Sequence, residues 1–175
     1  MAIKEILLLG NPLLRKKCPA VKKADDPAAR RTITHLADTL NNFRKQMGFG
    51  RGIAAPQIGA AIRIIFINVD GPMALINPRI VSRSRTMMAL WDDCFSFPDI
   101  LVKLKRHSSV TVEYLDENGS KQQLIAKDRL SELLQHEIDH LDGILAIDRA
   151  IDSKHIILRS EYDKMTKKEL DTQTL

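Results

Sequence analysis

Apolar residues recur at every third or fourth position from Asp25 or Asp26 to about Met47. This spacing predicts an amphipathic α-helix, because residues three and four apart share one helix face. Asp26 is suited to cap the N-terminus and Pro27 to fill the first helical position. A glycine-rich turn then interrupts the pattern. The apolar positions of this helix are Ile33, Leu36, Ala37, Leu40 and Phe43.

Beyond this turn the apolar residues form short runs separated by turn residues, a pattern that is typical of β-strands. The Asn118-Gly119 pair between two such runs predicts a hairpin. The predicted strands are residues 62–69, 74–76, 80–82, 100–105, 110–115 and 121–126.

A second helical pattern begins at Asp128, the predicted N-cap, and ends before Gly143, which suits a C-terminal cap. The order helix, strands, helix predicts an α+β fold, with mostly antiparallel sheets packed around this second, central helix. A chain of 175 residues is long enough for one domain with its own core. We expect a single catalytic domain at residues 1–152 and a polar, partly flexible tail at 153–175.

Composition and charge give expectations about the partners of the protein and its cellular compartment. The net charge of +5 favours an anionic partner, such as RNA or a ribosome surface that is contacted transiently, although a scattered basic surface is the simpler explanation. Aromatic residues make up 5% of the chain, so we expect no specific nucleic acid partner. Two cysteines favour a reducing, cytoplasmic compartment. No apolar run is long enough to span a bilayer, so we expect no membrane partner.

The central helix carries the motif Gln-His-Glu-x-x-His at residues 135–140. His136 and His140 lie one turn apart on the same helix face, so both imidazoles can bind one metal ion. Glu137 is then placed as a general acid and base beside a metal-bound water. An ordinary amphipathic helix with two histidines at its polar edge is the alternative.

Two histidines leave the third protein ligand open. Ala146 stands where a metzincin has its third histidine, which excludes that class. Glu161 would complete a zinc peptidase of the thermolysin type, but it lies in the lysine-rich tail. Cys94 offers a thiolate between predicted strands, although a lone cysteine is more often a buried apolar residue. We expect no catalytic role for Cys18, which lies in a lysine-rich stretch near the N-terminus.

The turn after the first helix holds two glycines, Gly50 and Gly52, followed by Gln57. Paired glycines let a substrate approach the main chain closely. The Gln57 amide is a suitable donor to a developing oxyanion. Alone, however, such a turn between helix and strand is weak evidence of a site.

Taken together and in this order, the three segments resemble the signature motifs of peptide deformylases. Residues 50–57 read Gly-Arg-Gly-Ile-Ala-Ala-Pro-Gln, against a family pattern of Gly-x-Gly-Leu-Ala-Ala-x-Gln. Residues 92–96 read Asp-Asp-Cys-Phe-Ser, against Glu-Gly-Cys-Leu-Ser, and the third motif is intact. The likeness extends to the Leu-Ile-Asn-Pro sequence at 75–78 and covers most of the chain.

This resemblance implies a hydrolase that removes the N-formyl group from N-formylmethionyl peptides of nascent proteins and releases formate. It implies that Cys94, His136 and His140 bind one divalent metal ion. Ferrous iron is the expected native ion, and Ni²⁺, Co²⁺ or Zn²⁺ are expected substitutes. A metal-bound water would attack the formyl carbon with Glu137 as general acid and base.

The resemblance also implies roles for residues around the metal. The side chain of Gln57 and the backbone N–H of Phe95 would stabilise the oxyanion. Leu90, Leu133 and the ring of Phe95 are candidates for the pocket of the methionine side chain. The substrate backbone would run along Arg51 and Gly52.

The second motif departs from the family pattern in three places. Asp92 replaces the glutamate that commonly pairs with a downstream arginine, and Arg106 is available to meet it. Asp93 replaces the glycine and Phe95 the leucine. These changes motivate one alternative, a divergent paralogue that binds metal or a formylated ligand with little turnover. The zinc peptidase that would use Glu161 is the other.

Overall fold

The computed structural model describes residues 2–165, in which eight strands and three α-helices occur. The helices are α1 (Pro27–Met47), α2 (Asp128–Leu141) and α3 (Arg159–Tyr162). The strands are β1 (Gly52–Ala54), β2 (Ile64–Asn68), β3 (Pro72–Arg83), β4 (Met87–Asp93), β5 (Ile100–His107), β6 (Ser109–Leu115), β7 (Lys121–Lys127) and β8 (Ile156–Leu158).

The strands form two sheets. Five strands make the larger sheet in the order β1-β2-β3-β6-β7, and three make the smaller one in the order β4-β5-β8. Every pair of neighbouring strands is antiparallel. The predicted α+β fold with antiparallel sheets is therefore confirmed.

Helix α1 covers one face of the larger sheet. It begins as predicted, because the Asp26 side chain accepts a hydrogen bond of 2.7 Å from the N–H of Ala28. It ends at Met47, and the capping residue Gly48 has a φ of +78°, a conformation that favours glycine. Its apolar face buries the side chains of Ile33, Leu36 and Leu40 against Ile53, Ile64, Phe66 and Ile76 of the sheet.

Helix α2 lies between the two sheets. It contacts β1 and β7 of the larger sheet and β5 of the smaller one, and every residue from Ser131 to Leu141 is buried. One flank, with Leu134 and Ile138, packs against Ile65 and Leu75. The polar residues of the predicted metal motif are thereby carried into the interior.

Four details of the local prediction need correction. Helix α2 begins at Asp128 itself, and Lys127 at the N-cap position makes no side-chain capping bond. The two runs at 74–76 and 80–82 belong to one bulged strand, β3. Strand β4 was not predicted, although it pairs with β5 along its whole length. Strand β8 and helix α3 lie beyond the predicted boundary at residue 152, and β8 pairs with β5.

The division into one domain and a tail stays a prediction, and residues 166–175 of that tail lie outside the described residues. Within residues 2–165, no helix has both the length and the apolar character that crossing a membrane requires.

Candidate metal centre and cleft

Three buried side chains converge beside α2. The Nε2 atoms of His136 and His140 lie 3.2 Å apart, and the Sγ atom of Cys94 lies 3.3 Å from Nε2 of His140. Cys94 follows β4 directly, in a turn closed by a bond of 3.1 Å from the Phe97 N–H to its carbonyl. The helix supplies two donors and the turn supplies the third.

These donors fit a divalent metal ion. Their ligand atoms all lie within 4.8 Å of one another. Separations of 3.2 and 3.3 Å lie near the lower end of the edges, about 3.3–3.8 Å, of a tetrahedron whose metal–ligand bonds are about 2.0–2.3 Å long. A thiolate with two imidazoles suits zinc, ferrous iron, nickel or cobalt.

Asp92 fixes the orientation of His136. One carboxylate oxygen lies 2.9 Å from Nδ1 of His136, which leaves Nε2 directed toward the other two donors. The guanidinium of Arg106 donates to Asp92 at 3.1 Å and also to Asp139. Burial favours the neutral acid, but the charges of His136 and Arg106 outweigh it and hold the pKa of Asp92 below its usual range. The predicted pairing of Asp92 with Arg106 is present.

Glu137 lies on the cleft side of the cluster with one free acceptor. Its Oε2 atom is buried without a hydrogen-bond partner. Burial raises the pKa of Glu137 to about 7, a value suited to proton transfer. Gly52 faces it so closely that a Cβ atom there would lie 2.9 Å from Oε1 of Glu137. Any other residue at position 52 would force the Glu137 carboxylate to move.

Gln57 directs its amide at the Cys94 turn. Its Oε1 atom accepts a 2.9 Å bond from the Ala54 N–H, which orients the amide group. Its Nε2 atom then lies 3.3 Å from Oγ of Ser96 and 3.6 Å from Sγ of Cys94. The glutamine is 2% exposed. The structure therefore brings this donor to the edge of the metal cluster.

Phe95 has two contacts that place it between the core and the cleft. Its ring stacks on Phe43 with centroids 3.8 Å apart, and it lines the cleft beside Gly50. A Cβ atom at Gly50 would lie 2.7 Å from this ring, and the φ of Gly50 is +128°. The Phe95 ring therefore packs against Phe43 of α1 and also borders the cleft.

The cluster opens into a cleft of about 350 Å³. Of the residues predicted to bind substrate, Arg51, Gly52 and Leu133 line this cleft, but Leu90 does not. Leu90 precedes Asp92 by two residues on β4, so it lies on the same face about 6.6 Å farther along the strand. It lines a separate cavity of about 420 Å³ with Met88 and Trp91. Leu90 therefore lies outside the cleft that contains the metal donors, and its role in holding the methionine side chain stays a prediction.

Two residues that contact this region were missed from the sequence. Glu132 lies on α2 four residues before His136, a spacing that could have placed it on the metal-binding face. It is buried, and it pairs with Arg51 at 2.5 Å. Arg159 donates to Asp93 at 2.6 Å and to the Pro98 carbonyl at 2.8 Å. No sequence pattern indicated the role of Arg159.

The alternative candidates lie elsewhere. Glu161 is exposed and pairs with Lys164 at 2.7 Å, and it is not part of a metal-ligand cluster among residues 2–165. Cys18 is buried, and its N–H donates to the Leu141 carbonyl at 2.8 Å. Neither residue reaches the cleft.

Comparison with known proteins points to one family. The family model described as polypeptide deformylase matches residues 3–155. Peptide deformylase 2 of Nostoc sp. is 33% identical over 174 residues, covering 93% of this chain and 94% of its own length. The peptide deformylase of Desulfitobacterium hafniense is 39% identical over 153 residues, covering 86% and 96%. The crystal structure of the Ehrlichia chaffeensis peptide deformylase in complex with actinonin matches with a TM-score of 0.81 at 30% identity, covering 97% of this chain and 99% of that one.

Proposed function

This chain belongs to the polypeptide deformylase family, and we propose that the cleft between β1, α2 and the Cys94 turn is where it removes formyl groups. The family makes the protein a peptide deformylase, a hydrolase that depends on a divalent metal ion and acts on formylated nascent peptides. The roles of individual residues, the identity of the ion and contacts with other molecules are our proposals.

Cys94, His136 and His140 would hold the ion. When bound, the ion supplies a Lewis acid that makes water a better nucleophile near neutral pH. We propose Fe²⁺ as the native ion, with Ni²⁺, Co²⁺ or Zn²⁺ accepted by the same donor set. The 2.9 Å contact from Asp92 to His136 supports this arrangement, because a fixed ring needs no reorientation on binding.

The substrate backbone would lie along β1. This strand is at the edge of the larger sheet, so a peptide can add to it through main-chain hydrogen bonds. Gly52 is the point of closest approach, since its missing side chain leaves the peptide beside Glu137. The formyl group of a peptide in that position faces the three metal donors.

Glu137 and Gln57 would carry the proton transfer and the charge stabilisation. Oε2 of Glu137 accepts a proton from the attacking water and returns it to the departing amine nitrogen. The Gln57 amide and the Phe95 backbone N–H donate to the formyl oxygen as it gains negative charge. Formate and a free amino terminus are released.

One observation carries this proposal: a buried carboxylate oxygen of Glu137 without a hydrogen-bond partner lies on the helix that supplies two of three converging metal donors. A purely structural helix would satisfy that oxygen, because an unpaired buried acceptor is costly. A water molecule that enters the cleft would donate to this oxygen and would be the reactant.

The test replaces Glu137 by Gln and measures formate release together with metal content. We expect activity to fall by about 10²- to 10⁴-fold while bound metal is retained, because a general acid and base is removed and no ligand is changed. Glu161→Gln is the matched control, since Glu161 is exposed and paired with Lys164. Full turnover by Glu137→Gln would refute its role, and loss of metal in Glu161→Gln would favour the peptidase alternative.

The location of the protein in the cell and its contact with the ribosome stay predictions. A transient ribosome contact is supported by the net charge of +5, and a cytoplasmic location by the two unpaired cysteines. A paralogue with little turnover is distinguished by the same assay, because it would bind metal and release no formate.

A further inference from the structure

We propose that the ion pair between Arg51 and Glu132 selects the side chain of the first residue of the substrate. The pair favours a neutral side chain that both donates and accepts hydrogen bonds, with the carboxamide of glutamine as the best match, over the apolar side chain of methionine. This inference rests on the deformylase function proposed above and specifies its substrate class.

The pair lies next to the reacting groups. Arg51 directly precedes Gly52, where the cleft touches Glu137. Glu132 lies on α2, and its carboxylate belongs to a group in which all candidate ligand atoms, including those of His136, lie within 4.8 Å of one another. One helical turn rises about 5.4 Å. Glu132 therefore lies about one helical turn from the metal donor His136, and we place the side chain on the carbon next to the formylated nitrogen against this wall of the cleft.

The Arg51–Glu132 pair also lies between the cleft and a second cavity that is lined in part by apolar side chains. Arg51 and Glu132 line both the cleft and the separate cavity that contains Met88, Leu90 and Trp91. They are the two residues that these cavities share. An unbranched apolar side chain that extends from the cleft toward Leu90 meets the ion pair first.

The exposed part of the pair is polar and can still form bonds. The Glu132 side chain is 7% exposed and the Arg51 side chain is 41% exposed. Arg51 donates one N–H to Glu132 at 2.5 Å and another to the Arg129 carbonyl at 3.0 Å. A guanidinium carries five N–H groups. Covering its exposed side with a methionine side chain removes water from these donors without replacing its bonds, which costs free energy.

A carboxamide complements both members of the pair. Its carbonyl oxygen accepts from Arg51, and its NH₂ group donates to the carboxylate of Glu132. A carboxylate side chain would be repelled by Glu132 and an ammonium group by Arg51. A site built around such polar groups rejects a ligand of similar length that lacks the matching bonds more strongly than an apolar pocket rejects a polar one.

The experiment compares kcat/KM for formate release from five formyl tripeptides that differ only in their first residue: glutamine, methionine, norleucine, glutamate and lysine. The metal-loaded wild-type protein is expected to favour formyl-glutaminyl over formyl-methionyl peptide by about tenfold, equivalent to about 1.4 kcal/mol. The glutamate and lysine peptides are expected to be poorer than the glutamine peptide.

Two variants separate specificity from folding. The double variant Arg51→Leu/Glu132→Leu removes both charges together, so that the buried Glu132 carboxylate is not left without its partner, and it should shift the ratio about tenfold or more toward methionine. Glu132→Gln keeps the size and an acceptor for Arg51, and it should improve the glutamate peptide selectively. The matched control is Arg79→Leu/Glu113→Leu, an exposed pair at 2.6 Å outside the cleft, which should leave all ratios unchanged.

A wild-type preference for formyl-methionine, or an unchanged ratio in the cleft double variant, would overturn the proposed selectivity while leaving the deformylase function intact. Absence of formate release from all five peptides by protein that retains its metal would overturn both proposals together.

Discussion

Asp92 and Asp93 are consecutive residues of β4, and each pairs with an arginine, but the two pairs differ in almost every physical respect. Asp92 points inward to Arg106, and both side chains are 2% exposed. Asp93 points outward to Arg159, with side chains 38% and 28% exposed. Alternation along a strand alone separates an interior pair from a surface pair.

The difference shows what each pair contributes. The interior pair holds His136, so a change there reaches a metal ligand directly. The outer pair connects the Cys94 segment to α3, and the Arg159 guanidinium also lies over the ring of Phe49 with 4.7 Å to its centroid. Asp93 stands where the family has glycine, and its ion-pair partner Arg159 is the first residue of α3. We expect the interior pair to control metal binding and the outer one to add only modest stability.

The largest expected effect comes from breaking the interior pair by Arg106→Met. This leaves Asp92 buried beside His136 without its guanidinium partner, and removal of one member of a buried pair costs about 3–5 kcal/mol. Denaturant unfolding measures the loss. The matched variant Arg159→Met should cost less than about 1 kcal/mol, because the outer pair is partly in water. Equal losses for the two variants would contradict the comparison.

An intermediate effect is expected in metal affinity. Asp92→Asn keeps the size of the side chain but removes the negative charge beside Nδ1 of His136, and such a change behind a ligand typically lowers affinity about 10- to 100-fold. Competition with a chelator measures the affinity. Asp93→Asn is the control on the neighbouring residue, and it should retain wild-type affinity. A weaker site in Asp93→Asn, with Asp92→Asn unaffected, would reverse our assignment.

The smallest effect is the coupling energy of the outer pair. A double-mutant cycle on Asp93→Ala and Arg159→Ala should give about 0.2–1 kcal/mol at low salt. The value should decline toward zero at about 1 M salt, because exposed charges are screened. Unfolding free energies of the four proteins at two salt concentrations provide the test. A coupling that is insensitive to salt would mean that Asp93 and Arg159 are more buried in solution than their exposure indicates.

The sequence predicted the parts of the site that depend on local spacing. The i and i+4 placement of His136 and His140 and the capping of α1 by Asp26 are properties of single helices, and the structure contains both. The pairing of Asp92 with Arg106 was anticipated from the family pattern. Such features need no knowledge of how distant segments meet.

The remainder depended on tertiary contacts that no local pattern records. The sequence of β4 begins with five consecutive apolar residues and does not alternate with polar ones, so the strand was missed. In the structure, however, residues 87–90 alternate between exposed and partly buried. Without β4, the sequence could not show that Leu90 lines a cavity next to the cleft instead of the cleft itself. Arg159 lies 66 residues from Asp93, so only the pairing of β8 with β5 brings them together.

The bond from Arg159 to Asp93 has a consequence for the order in which the protein matures during synthesis. All three metal donors have been translated by residue 140, but β5 keeps one open edge until β8 arrives at residues 156–158. An open strand edge can pair with a foreign strand. A nascent copy of this deformylase therefore holds a complete set of ligands before β5 gains its second neighbour. Helix α3, which begins directly after β8, then adds the Arg159 bond to Asp93, the residue before Cys94.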